Sequence, residues 1–326
     1  MAQITTEQLP EPATEATPET LPEVQPEVIP PTPETPPKKP INRNKLLGGL
    51  LAGGLLLLLS LFSTFAAVKW LPAGKPYSKR PDPEDPTLTT LVYEGYIPEL
   101  TLPDNPYGAE DFALDGSYLT CLSGDSILGI DVSTYQKNVN WQKVKEAGVE
   151  FVIIRVGFRG WGSAGTMLPD SMAQSHYAGA KAAGLKVGAY FFSQCTTVPE
   201  AQEEAEFALS LIKDWELDLP LVFDWEYISD EARTASVERQ MLTDCAYAFC
   251  LTAEEGGVPA MVYFNPSMVK NRIHLEQLSD FPFWLAHYTT EMSFPYKVDM
   301  WQYTSQGRVP GISGYVDINL YFPYDN

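Results

Sequence analysis

From residue 128 onward the chain alternates short apolar, β-branched runs with longer amphipathic stretches. That alternation restricts the fold to a mainly parallel sheet with helices packed on it. Strands are predicted over 128–133, 151–158, 186–193, a run ending at Asp224 and Glu226, 258–265, 281–288, 298–304 and 317–322. Helices are predicted over 141–147, 171–183, 199–213 and 235–255. Gly184, and the pair Gly256 and Gly257, sit where the second and fourth helices should stop. Pro199 suits the first turn of the third. After the fifth strand the helices thin out, so an eight-stranded barrel irregular in its last three strands is expected. Residues 127–322 are short for a full eightfold barrel, which typically takes about 250 residues, and the missing late helices account for the deficit.

The fourth strand carries the chemistry. Leu219-Pro220-Leu221-Val222-Phe223-Asp224-Trp225-Glu226-Tyr227 is an apolar run ending in two acids. Strand side chains alternate between faces. Val222, Asp224 and Glu226 therefore share one face, and Leu221, Phe223 and Trp225 the other. Acids at the C-terminal end of a barrel strand are usually catalytic. Paired carboxylates serve glycosidic bond cleavage, one as proton donor and the other supporting the cationic sugar. A solvated strand end with two surface acids fits the same residues.

The formal net charge of −20 argues against nucleic acid as a partner. Residues 46–68 contain no charged side chain and include five consecutive leucines, Leu55 to Leu59. That length spans a bilayer core as a helix, and it leaves no polar face for a soluble core helix. No clear Ala-x-Ala site follows, so an uncleaved signal-anchor is expected. Lys38, Lys39, Arg43 and Lys45 balance Lys69, Lys75, Lys79 and Arg80 across it. The closeness of Arg43 and Lys45 to the apolar start favours a cytoplasmic N-terminus and an extracellular C-terminal domain at the cell membrane.

Residues 1–45 read as a disordered tail: eleven prolines fall between Pro10 and Pro40, breaking the helical spacing of Glu11, Glu15, Glu19, Glu23 and Glu27. Residues 69–126 read as a proline-rich linker followed by extended structure packed on the main domain, which occupies 127–326. The four cysteines, Cys121, Cys195, Cys245 and Cys250, are too few for a disulfide scaffold. Cys245 and Cys250 on one helix make a poor bridge. His176, His274 and His287 are scattered, and no His or Cys spacing suggests a metal or cofactor.

The chain resembles the glycoside hydrolase family 25 muramidases, lysozymes acting on bacterial peptidoglycan. The resemblance covers residues 127–322 and rests on ordered motifs. These are Gly129-Ile130-Asp131-Val132-Ser133 with Tyr135-Gln136, Phe151-Val152-Ile153-Ile154-Arg155, Gly188-Ala189-Tyr190-Phe191-Phe192 and Phe223-Asp224-Trp225-Glu226. Then follow Trp284-Leu285-Ala286-His287-Tyr288, Trp301-Gln302-Tyr303-Thr304 and Val316-Asp317-Ile318-Asn319-Leu320-Tyr321-Phe322.

The resemblance implies an irregular TIM-like (β/α)5(β)3 barrel, active as a monomer on peptidoglycan glycan strands. It implies Glu226 as general acid, and Asp224 as nucleophile or as the group orienting the substrate's own acetamido. Asp131 and Asp317 would position substrate and tune the pair. Tyr190, Tyr263, Trp284, Tyr288 and Gln302 are the expected substrate contacts. Many members carry His where this chain has Phe191. A competing expectation is a membrane-tethered scaffold that grips glycan without cutting it; the intact acidic set argues for the enzyme. A family 18 chitinase is disfavoured because Val222 stands where that family's signature has another Asp.

Overall fold

The computed structural model describes residues 77–81, 89–93 and 99–323, which fall within the unit Pro72–Asn326. The tail at 1–45 and the span expected at 46–68 lie outside the described residues. Among the described residues no helix is long and apolar enough to cross a membrane.

Two short ribbons precede the barrel. β1 (Tyr77–Pro81) pairs antiparallel with β2 (Thr89–Tyr93), inside the segment read as linker. β3 (Phe112–Asp115) and β4 (Tyr118–Cys121) form a hairpin that turns at Gly116, whose φ of 62° suits a two-residue turn.

The barrel then follows in the expected order. β5 (Ile127–Val132) leads to α1 (Trp141–Glu146) and β6 (Phe151–Arg159). β7 (Met167–Pro169) folds back on β6 before α2 (Ala173–Ala182) and β8 (Lys186–Ser193). α3 (Val198–Ile212), β9 (Leu221–Trp225), α4 (Arg239–Glu255) and β10 (Ala260–Phe264) continue it. α5 (Pro266–Asn271) comes before β11 (Phe283–Ala286), β12 (Met300–Gly307) and β13 (Val316–Tyr321). Eight strands pair in the circuit β5, β6, β8, β9, β10, β11, β12, β13 and back to β5, so the sheet is closed.

Local sequence explains the element ends. Thr197 caps α3 by accepting from Glu200 N, and Pro199 falls in its first turn. Gly184 and Gly257, at φ of 74° and 83°, follow α2 and α4 in the left-handed conformation that ends helices. The fourth helix begins at Arg239 rather than at 235. Upstream, Arg233 and Thr234 bond to Gln194 across the chain, and these tertiary bonds hold the backbone out of a helix. α5 was not expected; Asn265 caps it and Pro266 opens it.

The parity expected on the fourth strand holds. Val222 packs inside the barrel with Phe151, Ile153, Met261 and Met300. Leu221, Phe223 and Trp225 face outward into the core between sheet and helices. Inside, a Cβ on Gly129 would lie 2.2 Å from the Phe151 ring, and one on Gly188 would lie 2.6 Å from Ile153 Cδ1. Bulk on β6 is thus matched by its absence on the two neighbouring strands.

One expectation is corrected. A parallel barrel has every strand pointing one way, but here β13 is antiparallel to both β12 and β5. A second feature explains how the barrel dispenses with late helices. Phe112 of the β3–β4 hairpin packs on Trp301 with ring centroids 5.1 Å apart, and Leu119 N donates to Tyr303 Oη. The hairpin covers the outer face of β12, where a helix would otherwise lie.

Candidate active site

Strand direction decides which side chains meet. β5 and β9 run parallel, so Asp131 and Asp224, near their C-terminal ends, reach the same end of the barrel. Asp317 stands at the start of β13. Because β13 runs the other way, its start lies at that same end, with Asp317 directly opposite Asp131 in the ladder. Glu226 is the first residue beyond β9. Reversal of one strand therefore completes a set of four carboxyls.

A cavity of about 110 Å³ is lined by Asp131, Asp224, Glu226 and Asp317 together with Tyr190, Tyr263, Trp284, Tyr288 and Gln302. All nine residues expected at the site meet there. Ligand pockets usually hold about 300–1,000 Å³, so this cavity is small for one.

The lining has two tiers. Asp131, Asp224, Tyr263, Trp284 and Gln302 are buried, whereas Tyr190, Glu226, Tyr288 and Asp317 are half-buried. In the deeper tier, Gln302 Nε2 donates to Asp131 Oδ2 at 2.8 Å, while Tyr263 and Tyr288 both donate to Gln302 Oε1, at 3.1 and 3.0 Å. Asn319 Nδ2 donates to the same Asp131 oxygen at 2.9 Å, and Trp284 Nε1 fixes Asn319 through its Oδ1 at 2.9 Å. Trp284 is 1% exposed. Trp284, Tyr263 and Gln302 thus line the cavity while their polar atoms serve Asp131. Asp224 Oδ1 is buried with no hydrogen-bond partner.

These surroundings set the protonation states. Burial raises the Asp131 carboxyl to about 6, while the donors Asn319 and Gln302 act to keep it ionised. Glu226 is raised to about 7, first by burial and then by the Asp131 charge. Burial also raises Asp224 well above the ordinary range, with Glu226 and Asp131 adding to it. Asp317 is raised to about 9 by burial and by Asp131. The site thus favours an ionised Asp131 beside a Glu226 that keeps its proton to near neutrality, the separation of acid roles that catalysis requires.

Two further residues carry weight. Arg155 lies on β6 two positions beyond the inward-facing Ile153 and supplies the positive charge that opposes the rise at Asp224. Asp170 holds it through Nε at 2.8 Å, and its guanidinium lies 5.4 Å from the centre of the Tyr135 ring. Strand parity from Phe151 through Ile153 could have flagged Arg155. Asn319 stands two positions beyond Asp317 on β13, so the same parity puts it on the site's face, but its bond to Asp131 depends on the register between β13 and β5.

Other aromatic residues do not line the cavity. Trp301 is buried and faces outward, and Tyr135 and Trp161 are exposed. Phe191, where the family resemblance departs, packs outward near Phe207 and Phe249, so the departure does not touch the cavity. Among the described residues no group of three His, Cys, Asp or Glu side chains could hold a metal ion. All four cysteines are free thiols.

The family profile described as Glycosyl hydrolases family 25 matches residues 130–312. The chain is 28% identical over 206 residues to lysozyme M1 of Streptomyces globisporus, covering 60% of this chain and 67% of that protein. It is 28% identical over 192 residues to the autolytic lysozyme of Clostridium acetobutylicum, covering 59% of this chain and 54% of that protein. The match thus spans about half to two thirds of these relatives. Among solved structures, the modular autolysin LytC of Streptococcus pneumoniae, in complex with a synthetic peptidoglycan ligand, superposes with a TM-score of 0.54 at 24% identity. It covers 60% of this chain and 47% of that one. A family 25 glycosyl hydrolase of Bacillus anthracis gives a TM-score of 0.52 at 21% identity over 61% of this chain and 89% of that one. At these identities the likeness is one of fold.

Proposed function

The chain belongs to glycosyl hydrolases family 25 and carries a lysozyme-type domain, and from that premise we propose that it is a membrane-anchored peptidoglycan hydrolase. It cleaves the β-1,4 bond between N-acetylmuramic acid and N-acetylglucosamine. Glu226 protonates the leaving oxygen. Asp224 stabilises the reacting sugar, either by direct attack or by orienting the neighbouring acetamido group. Burial, with the Asp131 charge beside it, keeps Glu226 protonated, and Asp317 closes the acidic set.

The observation that carries this reading is the Glu226 carboxyl, half-buried at the cavity and raised to about 7. A scaffold that merely gripped glycan would have no use for an acid tuned to neutrality, and four buried or half-buried carboxyls are costly to retain without chemistry. The peptidoglycan ligand bound by the modular autolysin supports the choice of substrate.

Digestion of purified walls, borohydride reduction and sugar analysis test the bond cut. Muramicitol is expected. Glucosaminitol in its place would make the protein a glucosaminidase, and undiminished turbidity would leave only a glycan-binding scaffold. The first product should be the β-anomer by NMR. Attack by Asp224 or by the acetamido oxygen, followed by water, gives two displacements and net retention. An α-anomeric first product would require direct attack by water.

Residues 46–68 would hold the protein in the cell membrane as a single span, with the N-terminus cytoplasmic and the barrel facing the wall. Residues 69–126 then serve as linker and extended segment and residues 127–326 as catalytic domain. Protease added to intact protoplasts should remove the barrel. A fully protected barrel would overturn this topology.

A further inference from the structure

Glu226 is poorly held by the sheet. The β8–β9 ladder ends at the pair Ser193 and Trp225, and the β9–β10 ladder ends at Asp224 and Tyr263. Glu226 follows both ends, and the chain from 226 to 229 has no regular structure. A proton donor has to stay within hydrogen-bond reach of its target, so something outside the ladder must fix this residue.

The side chain of Gln194, the first residue after β8, does so. Gln194 is 0% exposed. Its Nε2 donates to Glu226 O at 2.9 Å and to Ser193 O at 2.8 Å, and its Oε1 accepts from Thr234 Oγ1 at 2.9 Å. Two carbonyl oxygens can only accept, so the amide orientation follows from its partners. The amide acts as one extra rung between the strands, made by a side chain.

The clamp is itself anchored. Arg233 Nη1 donates to Gln194 O at 3.0 Å, and its Nη2 pairs with Glu200 Oε1 at 2.5 Å. Glu204, fully buried on α3, accepts from Ser193 Oγ at 2.5 Å and from Arg159 Nε at 2.6 Å. This network takes no part in lining the cavity. Its output toward the site is the single bond to the Glu226 carbonyl.

We propose that Gln194 is a positioning residue for Glu226, clamping its main-chain carbonyl so that the carboxyl stays over the cavity. The inference rests on the catalytic reading of Glu226 above. The carboxyls of Asp131, Asp224 and Asp317 and the phenols of Tyr263 and Tyr288 face or flank Glu226, and the Arg155 cation acts on Asp224 beside it. None of them contacts the Gln194 amide, so a change there reaches Glu226 through the backbone.

The test uses the full chain with Gln194→Met, which keeps length and removes both donors, and Thr234→Val, which removes only the hydroxyl that holds the amide. A misplacement near 1 Å can cost about 10²-fold, so Gln194→Met should lower kcat by about 10- to 100-fold. KM should stay within about twofold, because the loss falls on the transition state. Once free to swing into water, the Glu226 carboxyl should titrate below about 7, toward its ordinary 4.5. The alkaline limb of the rate profile and the carbon-13 NMR titration of Glu226, assigned with Glu226→Gln, should both move to lower pH. Thr234→Val should move them the same way by less.

A loss of kcat that tracks the folded fraction with an unmoved limb would make Gln194 merely structural and overturn the proposal. So would unchanged kcat. If Gln194→Met fails to fold, an unmoved Glu226 titration in Thr234→Val overturns it instead. The NMR arm needs no turnover. A wild type that leaves walls intact while its Glu226 titration still responds to Gln194→Met would refute the hydrolase reading and leave the clamp standing.

Discussion

Glu226→Gln is expected to lower wall cleavage by about 10²–10⁴-fold, the usual worth of general acid–base help, with the fold unchanged. The amide matches the carboxyl in size but has no proton to give to a leaving oxygen. Glu226 is half-buried, so its neighbours lose little packing. The pH dependence supplies a second mark. Glu226 is raised to about 7, so the donor is present below that pH and lost as pH rises through it. The wild-type kcat/KM profile should fall as pH rises through about 7, and that alkaline limb should be absent from the residual activity of Glu226→Gln. Near-wild-type turnover in the mutant would move the acid to another residue.

Asp224→Asn is expected to reduce turnover by about 10²–10³-fold, the scale of losing one preorganised electrostatic contact, while glycan binding to the uncleaved strand changes little. Asp224 Oδ1 has no protein partner, and burial keeps the carboxyl toward its neutral form in the free site. A donor from the substrate, such as an acetamido N–H, would satisfy that oxygen and favour the charged form. The charge then matters most as positive charge grows on the sugar, which is the condition for acting on kcat rather than on binding. Calorimetry on an undigested glycan, beside steady-state rates, separates the two effects. Binding lost in parallel with rate would make Asp224 a ground-state contact.

Much of this site is legible from strand parity. Side chains alternate with period two, so Asp224 and Glu226 could be placed with Val222 and away from Trp225 before any coordinates. Eight apolar runs sufficed to count the barrel strands, since β-branched residues over a short length leave few alternatives. Direction is another matter. Nothing in Val316-Asp317-Ile318-Asn319 marks the strand as antiparallel. That orientation is decided by which edges remain to be joined, a property of the whole sheet. Arg155 was readable by the same parity but lacked a motif to draw attention to it. Gln194 was beyond reach, because its meaning lies in a bond to a residue 32 positions later. The late start of α4 belongs to the same class, since contacts made by Arg233 and Thr234 override local helix preference.

The hairpin of β3 and β4 gives homology and foldability different edges in this chain. The family profile begins at residue 130 and ends at 312. Phe112 and Leu119 lie before that window, and the whole of β13, with Asp317, lies after it. A fragment cut to the recognisable region would be an open sheet with β5 and β12 as bare edges, the arrangement most prone to pairing with other chains. Transplanting this barrel into another architecture means carrying everything from Phe112 to Tyr321, including a hairpin outside the family profile that fits against Trp301 and bonds to Tyr303.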